Sequence, residues 1–182
     1  MFESAFNKFY WGFFFIMIDF RLQGVDILPD IIGFCLFAAG LSVLASRSSH
    51  FEKARSLNMF MIIFSIFQIY ERPTQSSGIN FGFLGPIGFL IGIAAIIVNL
   101  YVIYNLFMGI RDMASLQGQI NIREEAEKRW TQYLLLQLAG IFAIILIIVP
   151  PIALIFIILL FVLSIVFAIV IMGFMKRCGT SL

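Results

Sequence analysis

Residues 131–174 form a run of 44 positions without a charged side chain, interrupted only by the pair Pro150-Pro151. Built as helix, that run is about 66 Å long at a rise of roughly 1.5 Å per residue, about twice the hydrocarbon thickness of a bilayer. It must therefore fold back on itself. A Pro-Pro pair is where a helix stops and restarts, because proline lacks the N–H that continues the hydrogen-bond ladder. The run makes the chain an integral membrane protein with a helical hairpin near residue 150.

The rest of the chain agrees. It is 62% hydrophobic and 12% charged, against about 45–50% and about 25% in soluble domains. Its apolar runs are long and uncharged, not alternating strands of about ten residues, which excludes a β-barrel. The expected architecture is all-α: a polytopic transmembrane helical bundle forming a single domain over 1–182. Its expected spans are about 5–20, 27–45, 56–70, 82–110, 131–149 and 152–174. Asp19 and Arg21 follow the first apolar run in place of a small-residue cleavage site, so that run reads as an uncleaved span. It is short, and an interfacial helix there would leave five spans.

Lysines and arginines set the orientation. With six spans, Lys8, Arg47, Lys53, Arg55, Arg111, Arg123, Lys128, Arg129, Lys176 and Arg177 share one side. Only Arg21 and Arg72 fall on the other. Positive loops stay in the cytoplasm, so both termini are expected there. The stretch R-E-E-A-E-K-R-W at 123–130 sets Glu124 against Lys128 and Glu125 against Arg129 at i, i+4. This predicts a charge-laced helix running on into the fifth span, with Trp130 at the interface.

The candidate binding residues gather on the opposite side. Asp19, Arg21, Asp26 and Asp30 lie between the first two spans, and Glu71 and Arg72 end the third. Charges at membrane depth are costly and often functional. The same residues have structural roles open to them. Asp26 has the character of an N-cap for the second span, and Asp30 suits the dipole at that helix start. Asp19, Arg21, Glu71 and Arg72 match as ion pairs that would bring the far ends of spans one and three together.

For helix packing, Gly88 and Gly92 form a G-x-x-x-G that lets backbones approach closely. Asn99 requires a hydrogen-bond partner inside its span. A sharper reading of the same region is a gating helix broken at Pro86. G-F-C-L-F-A-A-G in span two faintly repeats as G-F-L-I-G-I-A-A in span four.

Other chemistries find no footing. There is no phosphate-binding loop, zinc-protease box or nucleophile elbow. His50 is the only histidine and falls in a cytoplasmic loop, so no catalytic residues, metal ligands or cofactor are assigned. Cys35 and Cys178 do not suggest a disulfide framework. Basic residues alternate with acidic ones, which excludes nucleic acid as a partner. The expected partners are the lipid bilayer and, through helix contacts, a second copy or another membrane protein.

Residues 11–34, W-G-F-F-F-I-M-I-D-F-R-L-Q-G-V-D-I-L-P-D-I-I-G-F, resemble the N-terminal signature of small multi-pass membrane proteins of Gram-positive bacteria. The D-F-R step and the D-I-L-P-D-x-I-G turn carry the likeness. The resemblance implies a bacterial cytoplasmic membrane and supplies no activity. Three readings follow. The first is a non-catalytic accessory, regulatory or immunity-type protein acting through helix contacts. The second is a small oligomeric transporter or channel using the outward Asp/Arg cluster. The third is a membrane-embedded enzyme with aspartates as acid, base or metal ligands. A tightly packed interior would favour the first, and a polar path at membrane depth reaching Asn99 the second. Convergence of Asp19, Asp26 and Glu71 would favour the third.

Overall fold

The computed structural model describes residues 2–17, 21–22, 25–26, 30–68, 86–146 and 148–182. For 21–22, 25–26, 67–68, 86–89 and 144 the backbone alone is described. Six α-helices dominate the described residues: α1 (Phe2–Met17), α2 (Asp30–Leu44), α3 (Ser49–Gln68), α4 (Pro86–Leu116), α5 (Ile120–Leu146) and α6 (Pro150–Ser181). A 3-10 turn, Ala45–Arg47, joins α2 to α3. Two short strands, β1 (Arg21–Leu22) and β2 (Val25–Asp26), pair antiparallel with Arg21 opposite Asp26.

Among the described residues, three helices are long and apolar enough to cross a membrane, over Asp30–Arg47, Leu90–Leu116 and Pro150–Ser181. The 16 residues of α1 are few for a full crossing. α3 and α5 begin in charge-laced turns and become apolar only further along. The expected hairpin is present: α5 ends at Leu146 and α6 restarts at Pro150, with proline in its first turn. Pro86 opens α4 and does not break it, because the first helical turn has no use for the missing N–H. α4 and α5 are separated by a tight stop at Gly118, whose φ of +69° is left-handed. Gln119 N–H donates to the Ala114 carbonyl and Gly118 N–H to that of Ser115, a helix stop that glycine alone adopts without strain.

Each helix packs on its sequence neighbours, and α6 closes the ring against α1. The polarity alternates, so one end collects Phe2, Arg47, Met113 and Gln117 around a common hollow. There Gln117 Nε2 donates to the Leu182 carbonyl at 3.0 Å. The ten basic residues expected on one side all belong to the helix turns and connections of this end.

Glycines set against neighbouring backbone and rings close the helices on one another. A Cβ on Gly33 would lie 2.8 Å from the Gly12 carbonyl oxygen and 2.6 Å from Ile16 Cγ1. One on Gly40 would lie 2.6 Å from the Phe9 ring, and one on Gly109 would lie 2.6 Å from the Phe51 ring. Small residues permit such approach where a side chain would hold the backbones apart. Phe13, Phe37, Phe107 and Phe174 join α1, α2, α4 and α6 into one buried aromatic core, with Phe13–Phe37 centroids 4.9 Å apart and Phe107–Phe174 6.1 Å.

Two of the packing expectations change. A Cβ on Gly92 would meet nothing within 4 Å, so this glycine opens onto space and does not seat a neighbouring helix. Gly88 lies in the first turn of α4. The echo between spans two and four has no packing counterpart either, since Gly92 aligns with Phe37, which wedges against Gly12.

Candidate functional site

In the half of the bundle away from the termini, the six helices line a partly open cavity of about 480 Å³. Its apolar walls include Ile16 and Met17 of α1, Phe34 of α2, Met61 of α3, Ala95 of α4 and Leu160 of α6. Into them are set Asp30, Ser65, Asn99, Tyr133, Gln137 and Ser164. Gly92 and Gly140 also lie on the wall, and the missing side chains help to keep it hollow.

The best-defined polar group is a triad spanning α4 and α5. Asn99 Nδ2 donates to the Tyr133 hydroxyl at 2.8 Å, and Gln137 Nε2 donates to the same oxygen at 2.9 Å. Two N–H donors on one hydroxyl leave the tyrosine's own proton for a third acceptor. The Asn99 Oδ1 is buried without a hydrogen-bond partner, so the triad keeps hydrogen-bonding capacity in reserve. Tyr133 and Gln137 are one helical turn apart, which places both on one face of α5. Asp30 stands in the first turn of α2 on the same cavity, where its charge also complements the helix dipole.

Aromatic rings connect this site to the charged end. Tyr133 stacks on Trp130 at 6.5 Å, Trp130 meets Tyr104 at 5.2 Å, and Tyr104 meets His50 at 6.1 Å. His50 is therefore not a solitary loop residue. It sits in the first turn of α3 with Nδ1 2.9 Å from Asn105 Oδ1 and Nε2 4.0 Å from Asp112. Asn105 Nδ2 donates to the Tyr101 carbonyl, so its oxygen is left facing the imidazole. Ser48 donates to Asp112 at 2.9 Å. This latch fastens α3 to α4.

The expected i, i+4 pair between Glu125 and Arg129 forms at 2.6 Å. Arg177 of α6 reaches the same carboxylate oxygen at 2.5 Å, and Arg111 lies 3.6 Å from Glu127. Glu124 and Lys128 form no ion pair among the described residues. The charged helix face thus ties α5 to α6 and α4 as well as meeting water.

The residues expected to form the outer cluster divide. Asp30 lines the cavity. Arg21 and Asp26 are opposite one another in the β1–β2 register, so Asp26 sits in a strand that ends before α2 begins. Asp19, Glu71 and Arg72 lie outside the described residues. The far ends of α1 and α3 do border one cavity, through Met17 and Ser65. Of the helix-packing set, Asn99 makes its interhelical bond, while Gly92 faces open space. Sequence reading passed over Tyr133, Gln137, Ser65 and Ser164; their signal was polarity one turn apart within uncharged runs. Cys35 is exposed and Cys178 buried, both as free thiols. Among the described residues no three His, Cys, Asp or Glu side chains gather as metal ligands would.

Compared with known proteins, the chain matches no family model, no curated protein and no solved structure. What fold and site define is a class: an all-helical protein with three helices able to span a membrane and a partly polar cavity at its centre.

Proposed function

We propose that the chain is a six-span protein of the bacterial cytoplasmic membrane, with both termini in the cytoplasm, that binds a small solute in its central cavity as a carrier or receptor does. The cavity carries the reading. A hollow lined by all six helices, with Asp30 and the Asn99–Tyr133–Gln137 triad set in apolar walls, suits a solute with an apolar body and a few hydrogen-bonding groups. A protein acting only through helix contacts has no use for such a hollow and would be expected to fill it. The orientation is supported by the ten-to-two division of basic residues. The compartment is supported by the resemblance of residues 11–34.

Cysteine accessibility tests both parts. In a Cys35→Ser/Cys178→Ala background, Gln137→Cys and Ser164→Cys should react with a membrane-impermeant methanethiosulfonate in intact cells. Gln117→Cys should react only after permeabilisation. If Gln137→Cys and Ser164→Cys react from neither side, the cavity admits no solute and the reading fails. If Gln117→Cys reacts in intact cells, the orientation is reversed.

A further inference from the structure

We propose that the groove between the first turns of α1 and the last turns of α6 binds a phospholipid whose headgroup carries both a phosphate and a primary ammonium. The groove has a volume of about 530 Å³ and is separate from the central cavity. Its depth in the membrane follows from the sequence. Lys176 is the first charge after the uncharged run, so it marks where the hydrocarbon ends. Trp11, 47% exposed on the facing helix, is an interfacial residue by type. The groove therefore spans the boundary at which lipid phosphates lie. Its apolar floor of Phe6 and Met175 is buried.

The charges select the headgroup. Several other charges at this end are engaged within the bundle: Arg129 and Arg177 hold Glu125, Arg111 holds Asp112 and Glu127, and Arg47 lies over the Phe2 ring. Glu3 and Lys176 line one groove, are exposed, and make no ion pair among the described residues. A lysine and a glutamate left apart in one interfacial groove match a phosphate and an ammonium joined by a short linker. Phosphatidylglycerol offers Glu3 neutral hydroxyls but no cation. Phosphatidylcholine has a quaternary nitrogen with no N–H to donate.

Native mass spectrometry of the full chain, with dioleoyl phosphatidylethanolamine, phosphatidylglycerol or phosphatidylcholine added to detergent micelles, tests this. The ethanolamine lipid should bind about two- to fivefold more tightly than the choline lipid, the range an exposed ion pair supplies. Glu3→Gln should erase that preference without weakening phosphatidylglycerol binding. Lys176→Gln should weaken all three. Both residues are on the surface, and unchanged melting temperatures will show that the variants fold. Equal binding of the three lipids, or a preference that survives Glu3→Gln, overturns the proposal.

Discussion

Among the described residues, the half of the bundle that carries nearly all the charges is also the better packed of the two. Near the termini, glycine meets phenylalanine at Gly40–Phe9 and Gly109–Phe51, and carboxylates bridge helices. Away from the termini there is a cavity, and the first half of α6 is exposed nearly all round, with Ile155 at 70%. That half of α6 is made of Ile, Leu, Phe and Val. Apolar content does not by itself draw helices together in a bilayer, because lipid tails are as apolar as leucine. Shape complementarity and polar bonds do, and they are concentrated at one end.

The comparison breaks most visibly if glycines in the two halves respond alike. Gly109→Ala should cost about 2–3 kcal/mol, since the added carbon meets the buried Phe51 ring at 2.6 Å, where it has no room to move. Gly92→Ala should instead stabilise by up to about 1 kcal/mol through helix propensity, because its new methyl meets nothing. Denaturation of both variants in mixed detergent micelles checks this; similar losses would show that the cavity wall is packed after all.

Glu125→Gln should have the next largest effect. It leaves Arg129 and Arg177 without their shared carboxylate, and a loss of about 1–2 kcal/mol is expected. The difference from wild type should shrink in high salt. A melting difference independent of salt would mean that packing around the site, not charge, was lost.

The smallest effect belongs to the cavity. Tyr133→Phe removes the hydroxyl that Asn99 and Gln137 share. The loss should stay near about 0.5–1 kcal/mol, below the usual penalty for stranded polar groups, because water in the cavity replaces the bonds. A loss as large as that at Glu125 would indicate a dry cavity and weaken the case for a solute site.

The parts of the molecule that were legible in the sequence are those written in single runs. The hairpin at Pro150 follows from the length of an uncharged stretch, and the Glu125–Arg129 pair from i, i+4 spacing. The Arg177 contact to Glu125 was not legible, because those residues meet only once the ring has closed. G-x-x-x-G misdirected attention to Gly88 and Gly92. The motif marks a helix that permits close approach, but which glycines are used depends on what faces them, and Gly12 and Gly33 are far apart in the chain. Asp30 and Asn99 were visible as polar groups at membrane depth. Tyr133 and Gln137 were missed because their run had been read only for its lack of charge.

The contact of α1 with α6 has a consequence for biogenesis. α1 leaves the ribosome first of the six helices and α6 last. At about 5–20 residues per second, α1 waits on the order of ten to thirty seconds before its second partner is synthesised. During that interval its main partner is α2, and the face bearing Phe6 and Gly179's contact site stands open to lipid or to an insertase. Assembly of this ring is thus gated by its final helix, and a chain stalled before α6 would present an aromatic, unfilled seam by which membrane quality control can recognise it.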